Sequence, residues 1–258
     1  MFGRENRGRL VCHCLLLELA SGLCLVDTGL GLEDVANPTR RLSRRNRFLL
    51  GPRLDVSETA ARQVEALGFE RKDVRHIIVT HLDLDHAGGL TDFPDATIHL
   101  HRAEHAITQR PLTRREKGRY KPMQWAHGAK FAPYTPDGEA WHGFDCVRQL
   151  QGLPPEILLV ALGGHSLGHS GVAIDRGNDW LIHAGDTYFH RHAMCEASVP
   201  RTVRLFERTT HLDGRLALDS QARLHQLATG AEPGVSVFCS HDPVEYERLA
   251  RSNTLDPP

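Results

Sequence analysis

The chain has 258 residues, enough to bury a full core, with a net charge of −1 and a pI near 7, so no global charge points to a nucleic-acid or membrane-surface partner. Its six cysteines include no C-x-x-C pair, which reads as buried, reduced thiols rather than a disulfide frame or a thiolate zinc site. The basic N-terminus and the apolar run after it, broken by Glu18, make neither a signal peptide nor a membrane span, and a cytoplasmic location is the expectation.

Along the chain, Val11 to Leu19 and Leu23 to Val26 predict two strands joined at Ser21-Gly22, the second ending in Asp27-Thr28-Gly29. Residues 36 to 54 read as irregular and basic. Ser57 to Leu67 predicts a helix, capped by Ser57 and stopped by Gly68. The apolar run up to Thr80 predicts a buried strand, and Thr97 to His101 another, followed by a helix over Ala103 to Gln109. From 111 to 152 periodicity disappears and aromatics accumulate, which suits either a lid or pocket wall or a loop tucking aromatics into a satellite core. Strands are again expected at Ile157–Leu162, Val172–Ile174, Trp180–Ala184 and Val235–Cys239, with an amphipathic helix over Arg215–Ala228. Strands and helices interleave without a linker, so one α/β domain spanning 1–258 is expected.

The chemistry concentrates in Thr80-His81-Leu82-Asp83-Leu84-Asp85-His86-Ala87-Gly88-Gly89. It holds four potential metal ligands in six positions, directly after a strand. Five apolar strands each end in Asp or His: Asp27, His81, His165, Asp186 and His241. If those ends share one rim, the side chains converge on a metal site. Among the 17 histidines, His76, His99, His101 and His183 fall inside strands and read as structural; His190 and His192 follow the Gly185-Asp186 loop.

The series Asp27-Thr28-Gly29, His81-x-Asp83-x-Asp85-His86, Gly164-His165-Ser166, Gly185-Asp186 and Ser240-His241 resembles the metallo-β-lactamase fold superfamily across nearly the whole chain. The resemblance implies a four-layer αββα sandwich with a metal pair at its rim. It implies a first metal on His81, Asp83 and His165, a second on Asp85, His86 and His241, Asp186 bridging, and Asp27 orienting a ligand histidine. His169 is then expected at the pocket edge or behind a ligand. The single-domain length and the His-x-x-x-Asp-His-Ala-Gly-Gly form look most like the N-acyl homoserine lactonase group. That implies hydrolysis of a lactone or related ester by a hydroxide bridging two divalent metals. Asp85, or a water on Asp186, is the candidate to manage the proton, and Tyr188, two residues after Asp186, reads either as a donor to the developing oxyanion or as a buried packing tyrosine.

The chain departs from the family where Asp83 stands in place of the usual histidine. Counting ligands alone, Asp83, Asp85, Asp186 and one hydroxide cancel two divalent cations. This weakens the centre as a Lewis acid and tilts metal preference from zinc, the first expectation, towards iron or manganese. The runner-up reading is redox chemistry at a di-iron centre, because the carboxylate resembles the His-x-Glu-x-Asp-His pattern of flavodiiron proteins. A non-catalytic metal- or ligand-binding member is the third. The basic runs Arg40–Arg47 and Arg114–Lys121 read as solvated faces, and a small-molecule substrate is expected rather than nucleic acid.

Overall fold

The computed structural model describes residues 9–114, 116–136, 139–147, 149–195, 197–230 and 234–253. Two sheets form. The first runs β1 (Leu15–Leu19), β2 (Gly22–Val26), β3 (Val74–Ile78), β4 (Thr97–His101) and β5 (Lys130–Tyr134), in that order. The second contains β6 (Glu139–Trp141), β7 (Phe144–Val147), β8 (Ile157–Ala161), β9 (Ser170–Asp175), β10 (Trp180–His183) and β11 (Val235–Phe238), in the order β11-β10-β9-β8-β7-β6. β1 is antiparallel to β2, and β2 to β5 are mutually parallel; β10 and β11 are parallel at the edge of an otherwise antiparallel sheet.

Helices α1 (Leu32–Ala36), α2 (Pro38–Arg41), α3 (Arg44–Leu50), α4 (Ala60–Ala66), α5 (Arg102–Thr108), α6 (Glu116–Arg119), α7 (Arg201–Thr210), α8 (Gly214–Thr229) and α9 (Pro243–Asn253) complete the order.

Alternation along the strands builds the layers. Cys24, Val26 and Ile78 from the first sheet pack with Ile157, Leu159 and Val172 from the second. Their neighbours Leu23, Leu25 and Ile77 face the other way, onto Ala61 and Val64 of α4. Leu158 and Val160 likewise face outward, onto Leu224 and Leu227 of α8. Three apolar interfaces therefore separate four layers, which is the expected αββα sandwich.

Several expectations shift. β1 begins only at Leu15; before it, the Val11 and His13 amides donate to the carbonyls of His241 and Ser240. Residues 36–54 are not irregular, because α2 and α3 form there, the latter capped by Ser43 and stopped by Gly51 in a left-handed conformation. The side chain of Arg45 lies outside the described residues. α4 is capped by Thr59 rather than Ser57, and Leu67 is exposed.

The segment 111–152 contributes β5, β6 and β7 to the two sheets, so most of it is architecture. Its strands have five residues or fewer, too short to print a period, and Pro133 sits in β5, an edge strand where a missing N–H is tolerated. Its first part, α6 to Trp125, packs on the His81–His86 loop: the backbone of Tyr120 pairs with Asp83, and buried Gln124 donates to the Leu84 carbonyl at 3.1 Å. Arg115, in the basic run, lies outside the described residues.

Candidate metal centre

The carboxyl ends of β3, β8, β10 and β11 meet at one rim, and each delivers a ligand-type side chain from the turn that follows it. His81, His165 and Asp186 form one group; His86, Asp186 and His241 form a second, each with its donor atoms within 4.8 Å of one another. Asp186 belongs to both, with Oδ2 3.4 Å from His165 Nε2 and Oδ1 3.3 Å from His86 Nε2 and 3.1 Å from His241 Nε2. Asp83 Oδ2 is 3.2 Å from Nε2 of both His81 and His165, and Asp85 Oδ2 is 3.7 Å from His241 Nε2.

The donor chemistry fits a cation. His81 Nε2, His86 Nε2 and Asp186 Oδ1 are buried and crowd against one another, Asp83 and His241 at 3.1–3.3 Å without forming a well-aligned hydrogen bond, which suits a cation between them. Burial holds His165 down to about 3, so its imidazole is neutral, with Nε2 hydrogen-bonded to Asp83 Oδ2 at 3.2 Å. Burial also works against ionisation of Asp186, but His241 and His86 outweigh it and hold the carboxyl well below the usual range. On His86 burial disfavours the proton, while Asp186 and Asp27 more than compensate and raise the imidazole. In this arrangement protons occupy the role a metal would take.

The supporting contacts are extensive. Asp27 accepts from the Thr80 amide (2.8 Å), the Thr80 hydroxyl (2.9 Å) and His86 Nδ1 (2.8 Å), which aims His86 Nε2 into the site. His169 is buried behind the bridge position: its Nδ1 donates to the Leu162 carbonyl at 2.7 Å and its Nε2 accepts from the Asp186 amide at 2.9 Å. His241 Nδ1 donates to the Val11 carbonyl at 2.7 Å, which fixes the tautomer with Nε2 facing the site.

Tyr188 requires a correction. It is fully buried, and its hydroxyl donates to Glu245 at 3.0 Å in the core below the rim, so it does not serve as an oxyanion donor. The carboxylate of Glu245, which also accepts from the Cys239 amide, draws the hydroxyl away from the pocket. His190 and His192 contact each other and Ser198 rather than the cluster. His76 and His99 bond each other within the first sheet, His101 caps α5, and His183 donates to the His13 carbonyl.

Three contributors escape sequence reasoning. Glu104, fully buried, accepts from the Leu82 amide with one oxygen and from the Ser166 hydroxyl and Gly168 amide with the other. It thereby ties the loop carrying His81 to the loop carrying His165. Nothing in its position at the start of a short helix signals that role. Arg119 Nε donates to Asp83 Oδ1 at 2.5 Å, although its basic run reads as a solvated face. Cys12, read as a buried thiol, is instead exposed and places its sulfur within 4.8 Å of donor atoms of Asp85 and His241.

Comparisons with known proteins agree with this geometry. The metallo-beta-lactamase superfamily model matches residues 7–226. A Mycobacterium tuberculosis protein named as a probable metallo-hydrolase is 41% identical over 243 residues, covering 94% of this chain and 77% of that protein. An N-acyl homoserine lactonase of Bacillus cereus is 26% identical over 235 residues, 91% of this chain and 82% of the lactonase. Among solved structures, an N-acyl homoserine lactone hydrolase with its product N-hexanoyl-L-homoserine at the catalytic metal center superposes with a TM-score of 0.66. It is 23% identical and covers 93% of this chain and 84% of that one. With its strand ends, donor cluster and family match in agreement, the chain belongs to the metallo-beta-lactamase superfamily and is a metal-dependent hydrolase.

Proposed function

We propose that the chain opens a lactone or a closely related ester at two divalent metals, zinc by first preference. His81, Asp83 and His165 would hold one metal and Asp85, His86 and His241 the other, with Asp186 between them. The observation that carries this reading is the buried set of His81 Nε2, His86 Nε2 and Asp186 Oδ1, which converge without a well-aligned hydrogen bond. The similarity to N-acyl homoserine lactonases supports the substrate class. When bound, the metals supply Lewis acidity and lower the pKa of water.

The chain's own residues supply placement and proton handling. Asp27, Glu104 and His169 hold His86, the two ligand loops and the Asp186 backbone in register. Asp85 is a quarter exposed, at the open side of the cluster, and its Oδ2 is placed to take a proton and return it to the leaving oxygen.

The test is purification without added metal, elemental analysis, and assays on acyl homoserine lactones, aryl esters and phosphoesters. Two metals per chain with lactone turnover at least tenfold above the other classes support the proposal. Two irons with a visible band that bleaches on reduction, and no hydrolysis, would overturn it in favour of redox chemistry.

A further inference from the structure

The Asp83 carboxylate is shared between two environments. Its Oδ2 lies 3.2 Å from both His81 Nε2 and His165 Nε2, while its Oδ1 accepts from Arg119 Nε at 2.5 Å. Arg119 is itself anchored, with Nη1 donating to the Thr210 carbonyl at the end of α7 at 2.8 Å. Both side chains are mostly buried, 14% and 15% exposed, so their attraction is far less screened than that of a surface pair. Among the described residues Arg119 hydrogen-bonds no other carboxylate. The antiparallel pairing of Asp83 with Tyr120 holds the two backbones together, so the side-chain contact does not rely on a swinging arm.

This contact changes the charge of the centre. Counted over ligands alone, an aspartate at position 83 removes the net positive charge that a histidine would leave. A buried guanidinium on the far oxygen of that aspartate restores it. It also leaves Asp83 with one oxygen to offer on the His81/His165 side, as an imidazole at that position would offer one nitrogen.

We infer that Arg119 is a positioning residue for the metal centre, and that Asp83 and Arg119 act together as a replacement for the family's histidine. The inference rests on the binuclear reading above. The pair is a unit: Asp83→His alone leaves the Arg119 cation facing a centre that no longer needs it. A ligand count by itself gives the opposite expectation, that Asp83→His gains zinc.

The experiment uses Co(II) alone as the probe, with no substrate. Chelator-stripped wild type, Arg119→Met, Arg119→Lys, Asp83→His and the double variant Asp83→His with Arg119→Met are titrated with Co(II) against a chromophoric competitor. The visible ligand-field spectrum is recorded for each, and urea unfolding confirms that each is folded. Arg119→Met is expected to weaken binding about tenfold or more, with an altered spectrum, and Arg119→Lys to recover part of the loss. Asp83→His is expected to bind more weakly than wild type, and the double variant to bind about tenfold more tightly than Asp83→His. Losses that simply add, with Arg119→Met costing as much in the Asp83→His background as in wild type, would overturn the inference. So would a wild-type protein that binds no Co(II). A protein that shows the reversal yet hydrolyses no lactone would sink the proposed substrate and leave the pair standing.

Discussion

Asp27 stands at the end of β2 with a left-handed backbone, φ 57°, a conformation that aspartate and asparagine adopt more readily than other residues with a side chain. From there one carboxylate receives three hydrogen bonds, from the Thr80 amide and hydroxyl and from His86 Nδ1. Asp27→Asn keeps the backbone preference but removes the charge and one acceptor oxygen. We expect metal affinity, measured by competition titration, to fall ~10- to 100-fold with the fold intact, the usual cost of losing a partner behind a ligand histidine. Tyr188 gives the opposite case. Its hydroxyl donates to the Glu245 carboxylate, which the Cys239 amide also satisfies, so Tyr188→Phe should cost ~1–2 kcal/mol in urea unfolding and leave turnover within about twofold. A hundredfold fall in kcat would show that the hydroxyl reaches the reaction after all.

At the scale of elements, the turns after the strands carry the site, and one glycine shows how tightly they are built. Gly185 has φ +55°, and a Cβ there would stand 2.5 Å from His169 Nε2, the atom that accepts from the Asp186 amide. Gly185→Ala should push His169 aside, misplace Asp186 and lower metal affinity at least tenfold, even where circular dichroism shows the sheets intact. A variant with wild-type affinity would show that the Asp186 turn does not depend on His169. Between β3, β4 and β5, a second relay serves the fold. The Gln151 amide donates to the Tyr134 hydroxyl, Tyr134 meets His99 Nδ1 at 2.9 Å, and His99 Nε2 meets His76 Nδ1 at 3.0 Å. Burial, and then the charge of His76, hold His99 down to about 3. The unfolded chain therefore binds this proton between about pH 6.5 and 3 while the folded chain does not, so stability is lost as pH falls through that window. In metal-free protein His99 should account for up to ~2 kcal/mol of the loss between pH 7 and 5, and His99→Gln should flatten that slope in urea unfolding. An unchanged slope would place the acid sensitivity elsewhere.

Across the whole molecule, the layers and the candidate ligand cluster are legible in the sequence because both depend on strong local patterns. Apolar runs such as Ile77–Val79 and Ile157–Val160 mark strands buried on two faces, and the Asp or His that ends each run marks the rim. What stays hidden depends on contacts far apart in sequence. Arg119 reaches Asp83 across 36 residues, and Glu104 reaches Ser166 across 62. A local window sees only an arginine in a basic run and a glutamate in a helix. The short strands β5 to β7 escape it for another reason: they take their stability from the sheets they extend, not from a period of their own.

The proposed hydrolysis requires that the chain hold two metals and depend on them. Its most direct measurement follows metal content and lactone turnover together as the purified protein is stripped with a chelator and then titrated with zinc. Turnover is expected to vanish with the metal and to return as the chain approaches two equivalents, and Asp186→Ala to recover neither. Turnover that survives complete removal of metal, or a wild-type chain that takes up less than one equivalent, would contradict the proposal.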